Sequence, residues 1–393
     1  MKTLDDLNDI KGNLVLLRLD LNVPVDGNGN VTDTTRIDRV KDTVLELKAK
    51  DARIAILSHF GRPKGEKNMD YSLSFLAPIL SKQWGIGVGF TDDCLNEPTK
   101  EITLMENVRF YEGEETCDPE FVSKIAGGKG DVFVNDAFSA SHRAHASTEG
   151  LAHALPSYAG RALQAELSAL ETALGNPGRP VAAIVGGAKI STKLDVLNHL
   201  VEKVDVLILG GGMANTFLYA VGADMGKSLC EKDMKDQALA IFEKAEGTGC
   251  SIFLPSDGKA ATEFSAGAHY DEVSMTAVPD DRMILDIGDN SVQSICSILD
   301  QCKTVVWNGP LGAFEIAPFD EGTVKTAEYA AQRVGSGDLT VVAGGGDTVS
   351  ALAHAGVIDD MTYVSTAGGA FLEWMEGKTL PAIAALEMID EDD

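Results

Sequence analysis

Short, almost continuously apolar runs alternate with amphipathic stretches along the whole chain. The runs are typical of parallel strands that are covered on both faces. The amphipathic stretches carry apolar residues at helical spacing, as at Leu194, Leu197 and Leu200. This alternation predicts an α/β protein with doubly wound parallel sheets. We predict strands at Leu14–Leu19, Arg53–Leu57, Ile102–Met105, Asp131–Val134, Val181–Val185, Asp205–Leu209, Ser251–Leu254, Thr304–Trp307 and Thr340–Ala343.

A cluster of turn-forming residues, Gly175–Pro180, interrupts the pattern near the middle of the chain. It follows a helix-forming stretch, Gly160–Leu174, and precedes a new strand. We therefore expect two comparable domains, residues 1–174 and residues 175–371, joined by a helix that acts as a hinge. The groove between such halves is the expected active site.

The chain has 393 residues and a formal net charge of -27. This acidic surplus argues against partners such as nucleic acids and acidic membranes, which require basic surfaces. An anionic substrate therefore needs a local basic patch. The six cysteines show no CxxC spacing, and we see neither a leader-like apolar segment nor a run of transmembrane length. We expect a cytoplasmic protein with reduced thiols.

Three glycines, Gly344, Gly345 and Gly346, follow the last predicted strand, and Asp347 and Thr348 then stand at a predicted helix N-cap. Glycines before a helix N-terminus let backbone N–H groups approach an anion. The Asp347 carboxylate would repel that anion unless a cation such as Mg²⁺ lay between them. The alternative is an ordinary βα turn whose glycines serve tight packing.

A second glycine segment, Gly186–Lys193, follows another strand and contains Lys189 and Lys193. Four residues apart on a helix, the two lysines would share a face, where a phosphate would relieve their repulsion. The alternative is a solvated lysine pair. A further strand leads into Asn308 and Glu315, and Glu315 is available for a ribose hydroxyl.

Two standard nucleotide-binding motifs are not satisfied. Gly210–Asn215 and Gly344–Val349 lack the third glycine of the dinucleotide fingerprint, and Gly222–Ser228 is one residue short of a P-loop. A nicotinamide-dependent dehydrogenase is therefore disfavoured.

Basic residues in the first half come just after predicted strands. The carboxyl ends of parallel strands meet at one edge of a sheet, so these side chains are expected to face one small, multiply anionic ligand. Asp20 and Asn22 would bind its hydroxyls or, alternatively, form Asx turns. For any single arginine, a surface ion pair is the alternative. The set comprises Arg36, His59, Arg62, Arg109, His142 and Arg143.

Eight of these segments, taken in order, resemble those of the phosphoglycerate kinase family and span nearly the whole chain. They read Arg-x-Asp-x-Asn-x-Pro from Arg18, His-Phe-Gly-Arg-Pro from His59, Glu-Asn-Val-Arg-Phe from Glu106, Asn-Asp-Ala-Phe from Asn135, His-Arg-Ala-His from His142, Gly-Gly-Ala-Lys-x-Ser-x-Lys from Gly186, Trp-Asn-Gly-Pro-x-Gly from Trp307 and Gly-Gly-Gly-Asp-Thr from Gly344.

The resemblance implies two Rossmann-like domains, with a C-terminal segment, residues 372–393, returning to the first. It implies a glycolytic, ATP-binding transferase that acts as a monomer on 3-phosphoglycerate or 1,3-bisphosphoglycerate with MgATP or MgADP. By motif, the acid would contact Asp20, Leu21, Asn22, Arg36, His59, Phe60, Gly61, Arg62, Arg109, His142 and Arg143. The nucleotide would contact Lys189, Lys193, Asn308, Glu315, Gly344, Gly345, Gly346, Asp347 and Thr348, with Asp347 on the metal.

The expected reaction is direct in-line phosphoryl transfer on domain closure, with Arg36, Lys189 and Lys193 neutralising the transferring oxygens. No covalent intermediate is needed, and His59 and His142 would bind rather than move protons. The remaining alternatives are an acyl-phosphate kinase for another acid and a non-catalytic nucleotide-binding protein. One departure from the family pattern is Ala367, where a glycine is usual, and we expect this change to be tolerated.

Overall fold

The computed structural model describes residues 1–127 and 130–388, and these form two compact units. The first unit contains Met1–Leu167 and the segment from Thr379 onward, and the second contains Ser168–Lys378. The predicted domain boundaries lay after residues 174 and 371, and the assignment of a substrate to each domain stays a prediction. The end of the predicted C-terminal segment, residues 389–393, lies outside the described residues.

The strands follow the predicted apolar runs closely, with additional short strands between them. They are β1 (Leu14–Leu19), β2 (Arg53–Leu57), β3 (Gly89–Thr91), β4 (Ile102–Met105), β5 (Val132–Asp136), β6 (Ser157–Ala159), β7 (Val181–Val185), β8 (Val206–Leu209), β9 (Ser251–Phe253), β10 (Asp257–Ala261), β11 (Tyr270–Ser274), β12 (Met283–Ile287), β13 (Thr304–Asn308), β14 (Thr340–Gly344) and β15 (Tyr363–Ser365).

Most helices lie between the strands, as the amphipathic stretches predict, and α14 and α15 follow the last strand. They are α1 (Thr35–Arg39), α2 (Lys41–Ala49), α3 (Leu76–Trp84), α4 (Glu112–Glu115), α5 (Pro119–Ala126), α6 (Leu151–Ala154), α7 (Arg161–Leu170), α8 (Leu194–Leu200), α9 (Gly211–Ala220), α10 (Lys235–Thr248), α11 (Asp289–Gln301), α12 (Glu321–Gly335), α13 (Gly346–His354), α14 (Gly368–Met375) and α15 (Pro381–Glu387).

The first unit is built on a six-stranded sheet with the order β3-β4-β2-β1-β5-β6, and its pairs are all parallel. The strand order reverses between β1 and β5, which makes the carboxyl ends of these two strands the topological switch point. Ligands of open parallel sheets bind at such a point. Buried residues of β1, β2 and β4 form the core, together with helix residues such as Leu47 and Trp84.

The second unit repeats this plan with a six-stranded parallel sheet of order β15-β14-β13-β7-β8-β9. Its switch point lies between β7 and β13, at whose ends Gly186 and Asn308 stand. Two parallel-sheet α/β domains are therefore confirmed. The predicted helix continues from α7 into a π-helical turn, Glu171–Gly175.

The second unit also contains an antiparallel sheet of order β11-β10-β12, which the sequence analysis missed. Its strands β10 and β11 read Asp-Gly-Lys-Ala-Ala and Tyr-Asp-Glu-Val-Ser, so neither is an apolar run. Within the described residues, no helix is both long and apolar enough to cross a membrane.

Candidate active site

The predicted acid-binding residues stand at the carboxyl edge of the first sheet. Asp20 directly follows β1 and His59 follows β2, while Arg109 and His142 lie beyond β4 and β5. These four strands include both strands of the switch point. The parallel order of the sheet therefore brings together groups that are far apart in the sequence.

Arg36 is the second residue of the short helix α1, and the Asp33 carboxylate just before this helix accepts a hydrogen bond from the Thr35 N–H at 2.7 Å. Its guanidinium pairs with the Asp20 carboxylate, which also accepts a hydrogen bond from the Ser139 hydroxyl. Burial raises the pKa of Asp20, but the neighbouring His59 and Arg36 and the hydrogen bond from Ser139 hold it below the ordinary value. Asp20 is therefore an anion that orients Arg36.

His59 is buried, and its Nδ1 lies 3.0 Å from a terminal nitrogen of Arg18. A guanidinium can only donate, so Nδ1 accepts and the ring proton is carried by Nε2. Burial and the Arg18 charge lower the pKa of His59 well below its usual value. His59 is thus neutral near neutral pH and offers an N–H donor, which agrees with a binding role.

Arg18 is held in place by hydrogen bonds with residues that the sequence analysis did not single out. Its Nε donates to the Ser147 hydroxyl at 2.8 Å, and that hydroxyl donates to the Glu114 carboxylate at 2.6 Å. Burial lowers the pKa of Arg18 to about 10 and raises that of Glu114. No sequence motif marks this support, because Arg18 and Ser147 are 129 residues apart.

Asn22 and Arg109 join three loops of this edge. The Asn22 side-chain oxygen accepts a hydrogen bond from the Gly61 N–H at 3.0 Å, and Arg109 donates to the Gly61 carbonyl at 3.0 Å. Of the Asx turns considered for Asp20 and Asn22, the one at Asp20 is formed, since its carboxylate accepts from the Asn22 N–H at 3.0 Å. Leu21 and Phe60 are buried in the same loops.

Arg62 and Arg143 are exposed, and His142 is half-buried. Burial lowers the pKa of Arg109, and the Arg62 charge lowers it further. The charges of nearby carboxylates oppose this shift. Burial, Arg109 and Arg18, with smaller contributions from Arg143 and His142, lower the pKa of His145 to about 4. The basic groups therefore share one electrostatic neighbourhood, which suits an anion with several charges.

The second unit contains a cavity of about 470 Å³ beside its switch point. Glu315 and Asp347 line it, as does the backbone of Gly187. Most of the remaining wall was not predicted as a site, although Gly211 and Gly212 follow β8 just as the predicted glycines follow their strands. The missed residues include Gly211, Gly212, Leu229, Met283, Leu285 and Leu311.

The glycine segment after β14 differs from the predicted cap. Helix α13 begins at Gly346, and the N-cap is Gly345 with φ +96°, so Asp347 and Thr348 belong to the first turn. The prediction that Asp347 and Thr348 form the cap is wrong. A Cβ built on Gly345 would lie 2.6 Å from Asn308 Nδ2 in a left-handed backbone conformation, so glycine is required there.

The two lysines also differ from the prediction, because they do not share a helix face. Lys189 has an extended backbone and is exposed, while α8 begins only after Lys193. The Lys193 ammonium donates to Gly186 O at 2.9 Å and to Asn308 O and Oδ1 at 3.0 and 2.6 Å. Burial lowers the pKa of Lys193 to about 8, opposed by the Asp347 charge.

Asn308 and Thr348 hold the loops at the carboxyl edge of the second sheet together. Asn308 Nδ2 donates to Gly344 O at 2.9 Å, and the Thr348 hydroxyl accepts from the Gly309 N–H at 2.7 Å. Both side chains are buried. Their hydrogen bonds fix the ends of β13 and β14 relative to each other, beneath the exposed Gly346 and Asp347.

Ala367 stands directly before α14 with φ -95°. This backbone conformation is available to alanine, so the departure from the family pattern causes no backbone strain.

The two edges have complementary chemistry. One presents guanidinium and imidazole groups suited to a small anion, and the other presents a glycine-lined cavity with a carboxylate, beside the switch point at which Lys193 is held, and this suits a nucleotide. Together they define a nucleotide-dependent phosphotransferase.

Comparisons with known proteins agree with this class. The phosphoglycerate kinase family model matches residues 4–378. Phosphoglycerate kinases of Rhizobium leguminosarum bv. trifolii and Rhizobium meliloti are each 58% identical, over 98% of this chain and 98% of theirs. The phosphoglycerate kinase structure from Coxiella burnetii is 42% identical, with a TM-score of 0.93 over 98% of this chain and 99% of that one. That from Pyrococcus horikoshii is 28% identical, with a TM-score of 0.80 over 100% of both chains.

The chain therefore belongs to the phosphoglycerate kinase family. It is a phosphotransferase with a carboxyl group as acceptor.

Proposed function

We propose that the first unit binds 3-phosphoglycerate or 1,3-bisphosphoglycerate and that the second binds MgATP or MgADP. The proposed reaction is reversible transfer of the phosphoryl group between the acyl phosphate and ADP. The observation that supports it is the basic cluster around Arg36 and His59 at one switch point, in a chain whose other switch point carries a glycine-lined cavity. The homologues do not favour the alternative of another carboxylic acid.

In this proposal, catalysis is alignment and charge stabilisation. Arg36 faces the developing charge on the transferring group from the acid site, while Lys189 and Lys193 do so from the nucleotide site. Neutral His59 donates its Nε2–H to the acid and moves no proton, because a carboxylate leaving group needs no general acid. Direct transfer requires that the two bound substrates meet, so hinge bending and water exclusion stay predictions.

Asp347 is the residue that would hold Mg²⁺ with the nucleotide. Its carboxylate is exposed, lines the cavity and lies in the first turn of α13. Among the described residues no group of three or more His, Cys, Asp or Glu side chains forms a metal site. A single carboxylate fits Mg²⁺, which takes most of its ligands from phosphates and water. The ion would neutralise phosphate charge during transfer.

The direct experiment is an assay of ATP consumption with 3-phosphoglycerate and Mg²⁺, coupled to a dehydrogenase that consumes 1,3-bisphosphoglycerate. We expect turnover with 3-phosphoglycerate and none with acetate or other simple carboxylic acids, since these lack the phosphate for the arginine cluster. Absence of turnover with 3-phosphoglycerate, while MgATP still binds, would refute the proposed acid substrate.

The low pKa of Lys193 gives a prediction for the pH dependence of nucleotide binding. Protonated Lys193 attracts phosphate, and the free protein loses this proton as the pH rises through about 8. We expect the Kd for MgATP to rise between pH 7.5 and 9.5, by up to about tenfold per pH unit above the pKa. Lys193→Arg, which stays charged, should remove this rise. Calorimetric titration at several pH values tests it, and an equal rise in both proteins would contradict it.

We further propose that the protein acts as a cytoplasmic monomer in glycolysis. Its six cysteines are all free thiols, which fits a reducing compartment.

A further inference from the structure

A lysine and an aspartate are buried together at the proposed nucleotide cavity, and the mechanism above uses neither. Asp286 lines the cavity, and Lys259 is not part of the lining. Lys259 lies on β10 and Asp286 on β12, with exposed fractions of 2% and 1%. The Lys259 ammonium is 3.7 Å from Asp286 Oδ2, 2.9 Å from Glu321 Oε2 and 5.2 Å from the centre of the Tyr270 ring. Burying charged groups costs free energy that pairing does not always repay. A buried ion pair that takes no part in the mechanism therefore needs a structural explanation.

Asp286 supports the cavity wall directly. Its carboxylate accepts hydrogen bonds from the N–H of Gly322, at the start of α12, at 2.8 Å, and from the N–H of Ile287 at 2.9 Å. A Cβ built on Gly312 would lie 2.2 Å from Asp286 Oδ1, so the loop backbone rests against the carboxylate. The neighbouring Ala313 N–H donates to Leu285 O at 2.7 Å.

Lys259 holds the other end of the same loop. Its ammonium donates to Pro318 O at 2.9 Å and to Glu321 at the start of α12. Burial raises the pKa of Asp286 to about 7, and the Gly322 N–H and the Lys259 charge oppose that rise. Lys259 thus contacts Asp286 and, within residues 312–321, Pro318 and Glu321.

That loop carries Glu315, which lines the cavity. We propose that Lys259 is a positioning residue of the nucleotide site, which fixes residues 312–321 and thereby the place of Glu315 against the nucleotide. The inference rests on the proposed function, since that assigns the nucleotide to this cavity. Lys259 touches no substrate, so its effect is on nucleotide affinity and not on binding of the acid.

The test is Lys259→Met, which keeps the length of the side chain and removes its charge and hydrogen bonds. We expect the KM and Kd for MgATP to rise about tenfold, because small displacements of a binding loop have effects of this order. The KM for 3-phosphoglycerate and the kcat at saturation should stay close to wild type. Lys259→Arg should restore much of the nucleotide affinity.

Lys244→Met is the matched control, because Lys244 also joins a carbonyl, Asn198 O at 2.8 Å, to a glutamate, Glu202 at 2.6 Å, in the same unit. It should leave both KM values unchanged. If an unpaired carboxylate prevents folding, the double variant Lys259→Met/Asp286→Asn is compared with Asp286→Asn alone, because Asp286 itself lines the cavity. The amide introduced at position 286 still offers an acceptor to the Gly322 N–H, while the hydrogen bond from Lys259 to Pro318 O is lost. The Kd for MgATP should therefore stay raised.

Calorimetric binding of MgATP to the wild type separates the two claims. A wild type that does not bind nucleotide overturns the proposed function and this inference with it. Normal binding by the wild type, with an unchanged Kd in a folded variant lacking Lys259, overturns only the inference. An equal rise in the KM values of both substrates would show a general structural role and also overturn it.

Discussion

Arg36→Ala is expected to lower kcat about a hundredfold or more with both substrates saturating, a loss of about 3 kcal/mol of transition-state stabilisation. Arg36 carries the guanidinium that the Asp20 carboxylate orients at the switch point of the first sheet. Its positive charge stabilises the negative charge that develops on the oxygens of the transferring phosphoryl group. Saturation with both substrates separates this effect from weaker binding, and the coupled assay measures it.

Arg39→Ala is the control on the same short helix, three residues further along, and should keep wild-type turnover. Arg36→Lys retains a charge but loses the planar fork, so an intermediate rate is expected. Asp20 keeps its hydrogen bonds from Ser139 and from the Asn22 N–H when Arg36 is removed. Normal turnover of a folded Arg36→Ala protein at saturation would show that Arg36 has no part in the transfer step.

The meeting of the candidate acid-binding residues at one edge of the first sheet could be predicted because it depends on few features of the chain. The runs that became β1, β2, β4 and β5 are apolar enough to be recognised, and parallel pairing then fixes where their carboxyl ends lie. The residues that follow these strands must meet at one edge. The antiparallel sheet escaped prediction because β10 includes Lys259, whose burial depends on partners at Asp286 and Glu321.

The support behind the site could not be predicted for a similar reason. The contact of Arg18 with Ser147, and of Ser147 with Glu114, follows from packing and not from spacing along the chain. The error at Lys189 and Lys193 has a local cause. The lysine spacing was interpreted as helical, but residues 190–192 form a 3₁₀ turn and α8 begins at Leu194.

Because of that local structure, Lys193 is the residue of the second unit whose substitution is expected to lower kcat the most. Its ammonium is held by three oxygens, from Gly186 and Asn308. Asp347 lies close enough to Lys193 for its charge to oppose the effect of burial on the pKa of Lys193. The charge is therefore placed beside the glycine loop, and Asn308 also contacts that loop through Gly344 O.

Lys193→Met is expected to lower kcat by about a hundredfold to a thousandfold, since it removes a preorganised positive charge from the phosphoryl path. It also removes three hydrogen bonds, so its melting temperature must be measured beside its kcat, with Lys244→Met as the control. If lost tethering were the cause, Lys193→Gln, which can still donate to a carbonyl, would recover much of the rate. If the charge is the cause, Lys193→Gln stays as slow as Lys193→Met although its stability recovers. The second outcome is the one expected here, and a fast Lys193→Gln enzyme would assign Lys193 to loop support alone.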